Sequence, residues 1–110
     1  MAKRILAIDD RRECKGASTL ARTYWDGIDA LVTPGTWDEL WLDHDLGDLE
    51  MQFTPDTKRE LTGYDVLCFL EENPEYMPKK IVLITDNASG RQRMNQVLEV
   101  FYTKGLLERP

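Results

Sequence analysis

The chain has 110 residues, of which 42% are hydrophobic and 31% are charged, the proportions of an ordinary folded domain. Its net charge of −6 argues against broad binding to duplex nucleic acid, because such binding needs many Lys and Arg contacts to phosphates. The remaining partner classes are a small phosphorylated ligand, a single RNA end held by a few arginines, and a basic protein.

The first predicted element is a strand at Ile5–Ile8, an apolar run that ends at Asp9 and Asp10. Continuous apolar residues are typical of strands that are buried on both faces, as in a parallel sheet. Residues 11–17 show no helical periodicity, although a doubly wound fold usually has a helix at this point. A weaker strand is predicted at residues 18–22.

A first helix is predicted after Thr23, which has the capping-box spacing to Asp26. The apolar residues of this helix share one face, and they are Trp25, Ile28 and Val32. The next strand is predicted at residues 40–42 and is followed by three polar residues, Asp43, His44 and Asp45.

Residues 48–61 are polar and charged, lack periodicity and contain Pro55. We interpret them as a lid-like loop beside the site, and the alternative is a solvated insertion without a role. A second helix is predicted at residues 63–73, where Asn73 and Pro74 end it. Its apolar residues at helical spacing are Val66, Leu67, Phe69 and Leu70.

The last predicted strand is residues 81–84, which is followed by Thr85, Asp86 and Asn87. A third helix is indicated by an apolar stripe of Met94, Val97, Leu98 and Phe101. Because strands alternate with helices, the sequence predicts one α/β domain over residues 1–110 with a mostly parallel sheet.

The compartment is predicted from the cysteines and the first apolar run. Cys14 and Cys68 have no metal-ligand spacing, which favours a reducing compartment. The run Ile5–Ile8 is too short for a signal peptide or a membrane span. We therefore expect a cytoplasmic protein that does not contact membranes.

Carboxylates follow the ends of two predicted strands. Ligands bind at the carboxyl ends of strands in an open parallel sheet, so Asp9, Asp10 and Asp43 should converge if their strands are neighbours. Such carboxylates repel one another unless a proton or a cation neutralises them, and Mg2+ is the simplest cation for oxygen ligands. The alternative is that some of these aspartates only cap helices or loops.

His44 is the only histidine in the chain, and it lies between Asp43 and Asp45. We expect it where the chain leaves the sheet, partly exposed, where it could exchange a proton with a phosphoester near neutral pH. Its removal should then cost activity more than stability. The alternative is a histidine that holds the loop together by hydrogen bonds.

The segment 87–91, between the last strand and the third helix, is a candidate phosphate-binding turn. Gly90 permits tight backbone geometry, and amide groups at a helix start can bind phosphate. Arg91 and Arg93 add positive charge. The alternative is a simple connection from strand to helix.

Four segments together resemble a known family: DDRR at 9–12, LDHDLG at 42–47, TGYDV at 62–66 and NASGRQRM at 87–94. Their order is similar to that of response-regulator receiver domains, and more closely to the cyclic-phosphate-processing receiver-like family of bacterial and phage gene clusters. An ordinary signalling receiver has no histidine after the acceptor-like aspartate. The resemblance implies a small receiver-like (flavodoxin-like) three-layer fold with reduced helices.

The resemblance also implies action on cyclic phosphates at RNA ends, in repair or in phage and bacterial conflict. Family members often carry a histidine immediately before the small hydroxyl residue that follows the last strand, where this chain has Ile84 before Thr85. A mechanism that needs two histidines is therefore not carried over. The lysine that signalling receivers place after a fifth strand has only Lys104 as a candidate.

Two functions of different classes follow. The first is a Mg2+-assisted phosphoesterase, and the second is a catalytically inactive module that binds a partner protein or a nucleotide. Phosphoryl acceptance at Asp43 ranks below both. For the phosphoesterase, the metal ligands are Asp9, Asp10 and Asp43, the catalytic residues are Asp43 and His44, the phosphate-binding residues are Thr85, Asn87, Gly90 and Arg91, and additional candidates are Arg12 and Asp45.

Overall fold

The computed structural model describes residues 3–46 and 61–109. These residues form a sheet of four strands, β1 (Ile5–Ile8), β2 (Thr19–Ala21), β3 (Glu39–Leu42) and β4 (Ile81–Leu83). The helices are α1 (Tyr24–Val32), α2 (Gly63–Glu72) and α3 (Ala88–Thr103), with a short 3-10 turn at Pro74–Tyr76. The lid-like loop predicted at 48–61 lies outside the described residues except for Leu61.

The strands are arranged in the order β2-β1-β3-β4, and every neighbouring pair is parallel. This order is that of the first four strands of flavodoxin-like folds. The predicted α/β fold with a parallel sheet is therefore confirmed, and so is the absence of a helix directly after β1. None of the described helices has the length and the apolar run needed to cross a membrane.

The core lies on the central strands and beneath the helices. Leu6, Ile8, Leu40 and Leu42 are fully buried, each contributing roughly 2 kcal/mol through the apolar surface removed from water. The predicted stripe of α3 packs against them, with Met94, Leu98 and Phe101 buried and Val97 partly buried. The prediction of burial on both faces therefore holds for β1 from its second residue onward, whereas β3 alternates between partly buried and buried residues.

The buried face of α1 differs from the prediction. Trp25 and Val32 are 46% and 39% exposed, and of the three apolar residues only the middle one packs against the core. The helix buries Gly27 and Leu31 instead. A side chain at Gly27 would place a Cβ only 2.5 Å from Ile8 Cδ1, so the glycine allows α1 to approach β1 closely. The stripe that packs on the core is Tyr24, Ile28 and Leu31, and the predicted stripe shares only its middle residue.

Each of the three described helices has a polar side chain, at its N-cap or in its first turn, that accepts a backbone N–H. The Asp26 N–H donates to Thr23 Oγ1 at 3.1 Å, which confirms the predicted cap of α1. At α2, the Thr62 N–H donates to Asp65 Oδ2 at 2.7 Å within a capping box. At α3, Asn87 Oδ1 accepts from the first turn at 2.8 Å. The last cap fixes where α3 starts, which is directly beside the ends of β3 and β4.

Candidate functional site: an acidic pocket at the carboxyl edge of the sheet

Asp9 and Asp43 lie side by side because their strands are paired. Ile8 is in register with Leu42, and the Asp43 N–H continues the ladder by donating to the Ile8 carbonyl oxygen at 3.0 Å. Asp10 adds a third carboxylate, and the three offer oxygens within 4.8 Å of one another. The predicted convergence of these aspartates is confirmed.

Asp9 is fully buried, and its carboxylate accepts hydrogen bonds from three donor groups. Its Oδ1 accepts the N–H groups of Arg11 and Arg12 at 2.8 and 2.9 Å, and its Oδ2 accepts from Arg12 Nη1 at 3.0 Å. Burial raises the pKa of the Asp9 carboxyl, but these hydrogen bonds outweigh burial and hold its pKa below the usual value. Asp9 therefore stays ionised while it also closes the loop after β1.

Asp43 is 5% exposed, and its environment moves its pKa in the opposite direction. Burial raises the pKa of Asp43, and the negative charge of Asp9 raises it further. Hydrogen bonds from the Thr85 hydroxyl and from the His44 N–H, at 2.8 Å from Oδ1, offset part of this rise. The site thus contains two adjacent carboxyl groups whose pKa values are displaced in opposite directions.

Arg12 bridges the carboxylates. Its Nη1 lies 3.0 Å from Asp9 Oδ2 and 3.5 Å from Asp43 Oδ2, and its Nη2 lies 2.6 Å from Asp86 Oδ2. Arg22 Nη1 holds the same loop by donating to the carbonyl oxygens of Arg12 at 2.7 Å and of Asp9 at 3.3 Å. The sequence suggested Arg12 only as an additional candidate, whereas the structure places its guanidinium against three carboxylates.

Asp86 and Arg22 were not among the residues predicted for the site. Asp86 had a sequence signal, because it follows a strand end as the other aspartates do. Arg22 had none, because its contacts are to backbone oxygens that become neighbours only when β1 and β2 pair.

The expectation that His44 is partly exposed is wrong, because its exposed fraction is 7%. The first turn of α3 covers the ring, and a Cβ at Gly90 would lie 2.5 Å from His44 Cγ. His44 Nδ1 lies 3.0 Å from Asp45 Oδ1, and in the tautomer with the proton on Nδ1 the ring donates to this carboxylate. His44 Nε2 is buried without a hydrogen-bond partner among the described residues.

The residues predicted to bind phosphate support the ends of β4 and α3. The buried Thr85 accepts the Asn87 N–H at 3.1 Å, and its carbonyl oxygen accepts from Arg91 Nη2 at 2.7 Å. The Gly90 N–H donates to the Asn87 cap. Thr85 and Asn87 nevertheless line the pocket described next, whereas Gly90 and Arg91 are not among its described lining residues.

An open pocket of about 130 Å³ lies at this edge of the sheet. This volume is below the roughly 300 Å³ of sites that enclose a whole small molecule, so the pocket fits one end of a ligand. Its described lining residues are Asp10, Arg11, Arg12, Asp43, Asp45, Thr85, Asp86 and Asn87. Aspartates outnumber arginines in this lining by two to one, so the pocket carries excess negative charge.

Lys104 does not serve the site. It caps the C-terminal end of α3 and pairs with Glu71 at 3.5 Å. Because α3 starts beside the pocket, the helix carries Lys104 roughly 20 Å away from it. Among the described residues that line the pocket, the cations are Arg11 and Arg12.

The parallel sheet and the carboxylate pocket at its carboxyl edge define a receiver-like α/β domain. The sequence model of the cyclic-phosphate processing receiver domain matches residues 4–100, and the chain belongs to this family. Comparisons with curated proteins and with solved structures gave no match.

Proposed function

We propose that this protein is a metal-assisted phosphoesterase that opens cyclic phosphates. The observation that carries the proposal is the convergence of three carboxylates beside a pocket whose lining already has excess negative charge. A phosphate group would be repelled from such a pocket unless a bound cation reversed the local charge. An anionic substrate and an acidic site are compatible only through that cation.

The ligands available are suitable for a hard divalent ion such as Mg2+. Asp9, Asp10 and Asp43 each offer a carboxylate oxygen, and all three groups lie close together without a nitrogen or sulfur ligand among them. When bound, the ion would supply polarisation of a phosphate oxygen and orientation of a water molecule.

The protein's own residues would position the phosphate and transfer the proton. The side chains of Asn87 and Thr85 line the pocket and would orient phosphate oxygens, while Gly90 and Arg91 act indirectly by fixing the start of α3. Asp45 also lines the pocket, and the buried His44 donates to it. His44 would then act as a positioning residue for Asp45, which exchanges the proton, and not as the general acid or base expected from the sequence.

The substrate class is a cyclic phosphate at a ribose or an RNA end. Water adds to phosphorus, one ring P–O bond breaks, and the departing oxygen takes a proton, which leaves a phosphomonoester. The pocket is large enough for the phosphate end, and the net charge of −6 disfavours a long duplex around it. We propose that this activity belongs to RNA-end repair or to phage and bacterial conflict, in the cytoplasm.

The test is a panel of cyclic nucleotides, cyclic-phosphate RNA ends and linear diesters, each with and without Mg2+ and followed by phosphorus NMR. We expect Mg2+-dependent opening of cyclic phosphates by the wild type and at least about a hundredfold slower reaction in Asp43→Asn. Asp29→Asn is the matched control, since it removes an exposed carboxylate on α1. No turnover of any cyclic phosphate in the presence of Mg2+ would contradict the proposal.

A specific observation favours a second function, that of a binding module without turnover. His44 is buried and is not among the described residues that line the pocket, and Ile84 stands where relatives often have another histidine. In that case the pocket engages a nucleotide or a partner protein. Saturable binding of a cyclic nucleotide that is recovered chemically unchanged would support this function over catalysis.

A further inference from the structure

The guanidinium group of Arg12 lies among the oxygens that a divalent ion would use. Its Nη1 is 3.0 Å from Asp9 Oδ2 and 3.5 Å from Asp43 Oδ2, and the side chain is only 28% exposed. The ion pairs therefore form at the base of the pocket, where water screens charge less than at the surface.

Arg12 is held in this position from three directions. Its Nη2 pairs with Asp86 at 2.6 Å, its own N–H donates to Asp9 Oδ1 at 2.9 Å, and its carbonyl oxygen accepts from Arg22. The neighbouring Arg11 also donates its backbone N–H to Asp9 Oδ1, at 2.8 Å, but its guanidinium forms no described ion pair with Asp9 or Asp43. It is 73% exposed, and its guanidinium approaches Asp86 at 3.6 Å.

A guanidinium at this position competes with a divalent ion for the same two oxygens, Asp9 Oδ2 and Asp43 Oδ2. Two positive groups at contact distance also repel one another, so each weakens the binding of the other. We propose that Arg12 is a built-in competitor of the metal, so that a divalent cation enters the site only when Arg12 leaves Asp9 and Asp43. This inference rests on the metal site of the proposed function.

The competition has a consequence for metal affinity. Charge-assisted hydrogen bonds are stronger than neutral ones, and those of Arg12 must be broken before the ion gains its ligands. The wild-type site should therefore bind Mg2+ more weakly than its carboxylates alone would. Removal of Arg12 should tighten binding, which is the opposite of what the loss of a ligand-positioning residue would do.

Calorimetric titration with Mg2+, and with Mn2+ as a tighter-binding probe, tests the competition. We expect Arg12→Gln to bind at least about tenfold more tightly than the wild type, which is about 1.4 kcal/mol. Arg11→Gln is the matched control, because it removes the same charge one residue away and keeps the backbone N–H that donates to Asp9, while the lost guanidinium paired with Asp86. We expect its affinity for the metal to change less than about threefold. Equal affinity in Arg12→Gln and the wild type would overturn the competition and leave the metal site intact. Equal tightening in both variants would also overturn it, since net charge alone would then explain the result.

A wild-type measurement covers the case in which Arg12→Gln does not fold. Side-chain proton–nitrogen NMR signals of Arg12 should shift with Mg2+ along the same curve as the backbone signals of Asp9 and Asp43. Arg12 signals that do not move while those backbone signals saturate would overturn the competition alone. If no signal moves at millimolar Mg2+, both the competition and the metal site of the proposed function are wrong.

Discussion

Gly90→Ala tests whether α3 and His44 fit together as tightly as the structure indicates. A Cβ at Gly90 would lie 2.5 Å from His44 Cγ and 2.6 Å from Cδ2, distances that real side chains do not adopt. The ring has little freedom to withdraw, because it is 7% exposed and Nδ1 is bonded to Asp45. Its backbone is also fixed, since the His44 carbonyl oxygen accepts the Gly63 N–H at 2.8 Å.

The magnitude follows from two opposing effects. Overpacking of a buried site costs about 1–3 kcal/mol, whereas alanine in place of glycine in a helix contributes at most about 1 kcal/mol of stability. The net loss in the free energy of unfolding should be about 1–2 kcal/mol. For a domain of this size, that loss lowers the melting temperature by roughly 5–10 °C.

The assay is urea denaturation together with thermal melting, with Ser89→Ala as the matched control. Ser89 lies in the same first turn of α3 and is exposed, so its replacement reports the helix preference without the steric contact. We expect the control to melt within about 2 °C of the wild type. If Gly90→Ala is as stable as the wild type, the contact between α3 and the ring is looser than described, and the reasoning fails.

Two further predictions concern stability and pH. His44→Gln should lower the free energy of unfolding by about 1–3 kcal/mol because the ring is buried, and an unchanged melting temperature would contradict this. Asp45→Asn should instead slow cyclic-phosphate opening with little change in melting temperature. Asp38 accepts the Arg4 N–H at 2.8 Å, and this hydrogen bond followed by the one from Lys79 lowers the pKa of Asp38. The contribution of the Asp38 charge to the free energy of unfolding is present above the unfolded pKa of about 3.9 and is lost as pH falls through the lower folded pKa. The urea midpoints of the wild type and Asp38→Asn should therefore differ at pH 7 and converge at about pH 2. A constant difference between the two midpoints at both pH values would show that Asp38 acts through something other than its charge.

The sequence alone determined the strands and the location of the site. The apolar runs of β1, β3 and β4 are local signals, because strand residues that contribute to a core are apolar, although β3 and β4 also contain residues of intermediate exposure. Polar residues at their ends then mark one edge of a parallel sheet, which is why the convergence of Asp9, Asp10 and Asp43 was predictable. The helix starts were also local, since a capping side chain and its N–H are three residues apart.

The tertiary structure decided how the site is organised. The face of α1 depends on the close contact between Gly27 and Ile8, which turns Tyr24, Ile28 and Leu31 toward the core and leaves Trp25 and Val32 exposed. The burial of His44 depends on the path of α3, whose first turn comes from a segment more than forty residues away in the sequence. Arg12 pairs with Asp43 and Asp86 across sequence separations of 31 and 74 residues. Hydrophobic patterns report which residues avoid water, whereas the pairing of charges is set by distances between elements that exist only after the sheet has formed.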